Sequence, residues 1–101
     1  MAKPDPIEKI STDFVEAIRA SWNGDLAFTP AVLAATAKNG WDQVDILEVA
    51  EEGSPTAVRK ESPYETLIEL THSCLSGITL RVVLAHDPHL PALAVKEVSA
   101  F

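Results

Sequence analysis

Two runs of alternating residues separated by five others constrain this chain more than anything else in it. Tyr64–His72 (YETLIELTH) and Ile78–Ala85 (ITLRVVLA) each alternate with a period of two. In the first, Tyr64, Thr66, Ile68, Leu70 and His72 share one side, and Glu65, Leu67, Glu69 and Thr71 share the other. In the second, Ile78, Leu80, Val82 and Leu84 oppose Thr79, Arg81, Val83 and Ala85. The link Ser73–Gly77 is too short for a crossover, so the two strands pair antiparallel. His72 and His86 then fall at opposite ends of the hairpin. Pro88, which has no N–H to donate, stops the ladder.

The N-terminal half has a different period. After a short tail (residues 1–4), Asp5-Pro6 supplies a cap followed by a proline suited to the first helical position. Ile7, Ile10, Phe14 and Ile18 recur at three- and four-residue steps, with Val15 and Trp22 at the edge of the stripe. Asn23-Gly24 ends this helix. A short extended piece, Leu26–Phe28, follows. Thr29-Pro30 repeats the cap and proline, and alanine-rich Ala31–Asn39 predicts a second helix closed by Gly40.

Asp42–Ala50 (DQVDILEVA) reads as a strand whose alternation slips near its middle. Glu51–Pro55 is a turn, and Thr56–Ser62 is a ragged sheet edge or a loop. Pro91 opens either a last short helix through Leu93, Val95 and Val98 or an irregular tail. The expected fold is α+β in a single domain over residues 1–101. Two N-terminal helices pack on a three- to four-stranded antiparallel meander, with a short C-terminal element.

The formal net charge of −7 on 101 residues argues against nucleic acid as a partner, because phosphate binding needs clustered Lys and Arg. It also argues against an anionic membrane surface. One cysteine, Cys74, permits no internal disulfide, and a reducing compartment is expected. The start lacks the apolar segment of a secretory signal, and no apolar run is long enough to span a bilayer. The expected location is cytoplasmic, or peripheral on a membrane-bound complex.

No constellation in the chain points to catalysis. His86 and His89 are three apart, but Pro88 forbids the helix that would aim both at one metal, and no Cys or His cluster completes a zinc site. Cys74 has no neighbouring base or cation in the sequence to activate it. No serine lies in a nucleophile elbow, and no glycine-rich phosphate loop occurs among the four glycines. The acids Glu48, Glu51, Glu52, Glu61, Glu65 and Glu69 read as solvated faces. A carboxylate-pair enzyme would also need a concave site with raised pKa values. The expectation is therefore no catalytic residue, no cofactor and no metal. Trp22 and Trp41, at or just past helix ends, suit core-edge packing or a protein contact.

The stretch YETLIELTHSCLSGITLRVVLAHDPHLPAL resembles the small soluble accessory subunit of bacterial respiratory complex I that sits on the large quinone-site subunit, and its relatives in membrane-bound [NiFe] hydrogenases. That family places a strand, a hairpin return of the L-R-V-K-V kind and an acidic proline loop in this order. Leu80-Arg81-Val82-Val83 occupies the return, and Asp87-Pro88-His89-Leu90-Pro91-Ala92 the loop; NGWDQVDILEVAEEG is similar to the strand preceding them. The family's closing E-R-E-x-x-D-x-x-G-I segment has no counterpart here. The resemblance implies a cofactor-free accessory subunit docked on the large subunit of a redox complex. Its partner contacts would be His86, Asp87, His89 and Leu90, with Trp22 and Trp41 as apolar anchors. A second reading from the charge is a free-standing acidic inhibitor or adaptor that binds a basic protein surface.

Overall fold

The computed structural model describes residues 7–90 and 92–100; the side chains of residues 7–12 and of Ser21 lie outside that description. The tail at 1–4, the Asp5-Pro6 cap, the packing of Ile7 and Ile10, and the structure at Pro91 therefore fall outside it. The order of elements is α1 (Ile7–Ser21), β1 (Leu26–Phe28), α2 (Pro30–Asn39), α3 (Gln43–Glu52), β2 (Ser54–Lys60), β3 (Thr66–Ser73), β4 (Thr79–His86) and β5 (Leu93–Ala100). The fold is α+β.

The expected hairpin is β3 and β4. Their antiparallel register runs from Thr66 opposite His86 to Ser73 opposite Thr79. The Cys74 N–H donates to Ile78 O at 2.8 Å and the Gly77 N–H to Cys74 O at 2.9 Å, closing the turn. His72 and His86 do sit at opposite ends.

Three expectations are corrected. Asp42–Ala50 is not a strand: Asp42 caps helix α3 by accepting the Val44 N–H at 2.9 Å. Ile46, Val49 and Ala50 are buried while Val44 is 66% exposed. The slipped alternation was a helical stripe at steps of three and four. Glu51–Pro55 is not a turn: Glu51 and Glu52 end α3, and Ser54 and Pro55 begin β2. Of the two readings of Thr56–Ser62 the ragged sheet edge holds, since β2 is an edge strand with an irregularity between Pro55 and Ala57. The C-terminal element is neither helix nor tail but β5, which lies inside the sheet. A register shift opposite Val83/Leu84 puts Val95 and Val98 three residues apart on the same side, imitating a helical step. The sheet is therefore five-stranded and mixed, in the order β1-β5-β4-β3-β2, with β1 parallel to β5. It is not a three- to four-stranded antiparallel meander, and three helices cover it rather than two.

α1 lies against β2, α3 over β3 and β4, and α2 over β5. Between them and the sheet, Val15, Ile18, Val32, Ile46, Val49 and Ala50 meet Ile68, Leu70, Leu80, Val82, Leu84, Leu93 and Val95 in one buried core. α2 starts as expected, with Thr29 Oγ1 accepting the Val32 N–H at 3.2 Å and Pro30 as its first residue. It ends on Gly40 at φ +71°, a left-handed conformation suited to glycine.

Beyond the shared core, the Arg19 side chain ties α1 to α3. Arg19 donates from Nε to Ala50 O at 2.9 Å and from Nη2 to Gly53 O at 2.9 Å, with a longer 3.5 Å contact to Val49 O. A cation at the C-terminus of α3 supplies donors to its last carbonyls and faces the negative end of its dipole. Burial lowers the pKa of Arg19, and Glu16, Glu51 and Glu52 oppose that shift.

The other face of the sheet carries charges arranged around Val83. Arg81 bridges Glu69 at 2.6 Å and Glu97 at 2.9 Å. Thr56 Oγ1 donates to Glu69 Oε2 at 2.7 Å. The Thr56 hydrogen bond, with help from Arg81, holds the Glu69 carboxyl below its ordinary value even though desolvation pulls it up. Val83, only 9% exposed, is shielded there by the stems of longer side chains. No helix among the described residues is long and apolar enough to cross a membrane.

Candidate docking site

β4 ends at His86, and the chain turns at once. Asp87 Oδ1 accepts the His89 N–H at 2.8 Å, and the Leu90 N–H donates to Asp87 O at 3.0 Å. An aspartate that accepts from the backbone two residues on is a turn-forming device. His89 Nδ1 lies 3.1 Å from the same oxygen. The His89 backbone bond lowers the Asp87 pKa most, with smaller help from the His89 ring and His86. The carboxyl of Asp87 is thus occupied within its own loop.

This turn, the end of α1 and the start of β5 enclose a cleft of about 420 Å³ lined by Ile18, Trp22, His86, Pro88, His89, Leu90 and Leu93. Four of the six residues expected to contact a partner therefore line one site. His86 stands edge-on to Phe14 with ring centres 5.9 Å apart. His89 meets Tyr64 edge-on at 5.3 Å. Trp22 is fixed by its indole N–H, which donates to Asp25 O at 2.7 Å. Leu90 is 60% exposed, an apolar side chain held out at the rim.

Trp41 is elsewhere. It follows α2, donates its N–H to Thr36 O at 3.0 Å, and packs half-buried against the core. Neither Trp41 nor Asp87 is part of the cleft lining; Asp87 acts through the turn it holds. Among the described residues, the lining has no Lys, Arg, Asp or Glu: it consists of apolar side chains and two imidazoles. A tryptophan and an exposed leucine beside two imidazoles can take a desolvating contact.

A second cluster lies at the opposite end of the hairpin, where α3 meets residues 72–76. Glu48 Oε2 lies 2.7 Å from His72 Nε2 and accepts the Leu75 N–H at 3.1 Å. Asp45 Oδ1 accepts from Ser76 Oγ at 3.1 Å. Cys74 Sγ, buried, donates to Asp45 O at 3.6 Å. Burial, then Glu48 and Asp45, push the Cys74 thiol above its ordinary pKa. Sequence reasoning missed this cluster because it made residues 42–50 a strand, where positions 45 and 48 face opposite ways. On a helix they share a face.

Compared with known protein families, curated proteins and solved structures, the chain matches none of them.

Proposed function

We propose that this chain is a non-catalytic docking subunit whose partner is the large subunit of a complex I-like or hydrogenase-type redox complex. The observation that carries the docking role is the cleft at the end of β4, which gathers Trp22, His86, His89 and Leu90 and has no Lys, Arg, Asp or Glu in its lining. An exposed leucine beside a tryptophan, over a turn that Pro88 and the Asp87 bonds already fix, loses little conformational freedom on association. The identity of the partner comes from the resemblance that runs from β3 through the proline loop. The segment before β3 does not contribute to it, because residues 43–52 are helical.

The test is co-purification of the tagged chain from cells that contain such complexes, read on native gels and by cross-linking. We expect migration with the large subunit, and at least tenfold weaker association for Leu90→Asp, whose exposed site spares the core. A chain that runs alone beside an intact complex, or a Leu90→Asp variant that associates like wild type, refutes the reading.

The acidic-adaptor reading rests on α3. Gln43–Glu52 contains Asp45, Glu48, Glu51 and Glu52, with Asp42 at its cap, and no Lys or Arg. Salt separates the two readings. Docking through the cleft persists at high ionic strength, whereas an acidic helix on a basic groove releases its partner.

A further inference from the structure

We propose that Asp45, Glu48 and Cys74 bind a divalent transition-metal cation of the zinc class, with His72 positioning Glu48. The proposal is independent of the docking role and concerns the opposite end of the hairpin. One ligand atom from each of the three residues lies within 4.8 Å of the other two. Four-coordinate zinc with bonds of 2.0–2.3 Å sets its ligands about 3.3–3.7 Å apart. Closing that difference takes about 1 Å, within reach of side-chain rotation in Asp45 and Glu48.

The donor set selects the cation. A thiolate disfavours magnesium and calcium, while two carboxylates and one sulfur suit zinc, cobalt or ferrous iron. Three protein donors leave a fourth position for water. On binding, the Cys74 thiol gives its proton to solvent, and three anionic donors then face a doubly charged ion.

Hydrogen bonds to the hairpin do not exhaust these groups. Among the described residues, no donor reaches Asp45 Oδ2, and Glu48 Oε1 has only a 3.4 Å contact with the Leu75 N–H. Cys74 is 5% exposed, and its one hydrogen bond is the weak one to Asp45 O. No Lys or Arg among the described residues pairs with either carboxylate; the sole ion-pair partner is His72, on Glu48. A cation supplies the charge that this arrangement of acids around a buried sulfur lacks. The imidazole on Glu48 matches the outer hydrogen bond that orients metal-binding carboxylates.

Cobalt is the probe. Tag-free, chelator-treated protein is titrated with Co²⁺ and followed by absorption. We expect a sulfur-to-cobalt charge-transfer band together with ligand-field bands intense enough for four-coordination. Cys74→Ser removes the charge-transfer band. Asp45→Asn, at a half-buried site that leaves the core intact, weakens cobalt binding at least tenfold. His72→Ala weakens it about 10- to 100-fold, as expected of a positioning residue. Zinc raises the melting temperature of the wild type, and at the same zinc concentration raises that of Asp45→Asn by less. The absence of a charge-transfer band at saturating cobalt, an equal band in Cys74→Ser, or an equal zinc effect on Asp45→Asn overturns the proposal. The cluster would then serve only to tie the hairpin to α3.

Discussion

Replacing Arg19 by Met tests how the helix layer is held together. Methionine keeps an unbranched apolar stem of similar reach and removes only the guanidinium. Two carbonyls then lose their donors, those of Ala50 and Gly53, each now served at 2.9 Å. Water replaces them only in part, because Ala50 is 1% exposed and Gly53 is buried while Arg19 covers them from a half-buried position. Val49 O is less affected, since it also accepts the Gly53 N–H at 2.7 Å. A hydrogen bond to a charged donor contributes roughly 1.5–3 kcal/mol, and a buried carbonyl without a partner costs about 1–3 kcal/mol. Arg19 itself is partly desolvated, the main cause of its lowered pKa, and that offsets some of the gain. The net loss expected for Arg19→Met is about 2–3 kcal/mol. In a domain of this size that is a fall of roughly 10–20 °C in melting temperature. Urea unfolding followed by the fluorescence of Trp22 and Trp41 measures it directly. Arg19→Lys should recover part of the loss, because one ammonium cannot reproduce the guanidinium fork. A Met variant within about 0.5 kcal/mol of wild type would show that the α3 carbonyls find other donors, and the reasoning would fail.

Three further outcomes follow from the same geometry. Gly53→Ala puts a Cβ 2.5 Å from Val49 O and 3.0 Å from Leu70 Cβ, so a loss of at least about 2 kcal/mol is expected in the same urea assay. Asp42→Ala removes the cap of α3 and should cost about 1 kcal/mol, with a small loss of helical circular dichroism; no change would mean that the Val44 N–H finds another acceptor. Glu69 has a folded pKa below its ordinary value of 4.5, so its contribution is present above that pH and disappears as the pH falls through the lower folded value. Glu69→Gln should therefore flatten the acid side of the stability–pH curve, and an unchanged acid limb would contradict the assigned Thr56 and Arg81 bonds.

How much of this was legible in the sequence depended on whether local pattern and tertiary placement agreed. They agree in β3 and β4, where alternation, a five-residue link and antiparallel pairing give one answer. They agree again in α2, whose Thr29-Pro30 start and Gly40 end act locally. They part at α3: Val44, Ile46, Leu47 and Val49 are apolar enough to suggest a strand, and only burial shows that Ile46, Val49 and Ala50 form the inner face. β5 was hidden by its own register shift. β1 pairs in parallel with a strand 67 positions later in register, Leu26 with Leu93, and no local signal reports such a partner. The cleft was legible in part, since His86, His89 and Leu90 are close in sequence. Trp22 joins them because α1 ends beside the start of β5, which periodicity alone does not reveal. The cluster at Asp45, Glu48 and Cys74 was lost together with the misread helix.

The position of β5 bears on how the chain reaches its final form. Its residues come after the other four strands of the sheet in the chain, yet they sit between β1 and β4. Until Leu93 and Val95 arrive, β1 has no neighbouring strand among the described residues, and Leu84, paired with Ile68 on one side, lacks its partner on the other. Before that segment arrives, the growing polypeptide leaves part of its apolar layer uncovered, and the pairings that cover it are long-range in sequence. Rapid capture by a holding chaperone, or by whatever surface the finished molecule serves, would shorten that vulnerable interval.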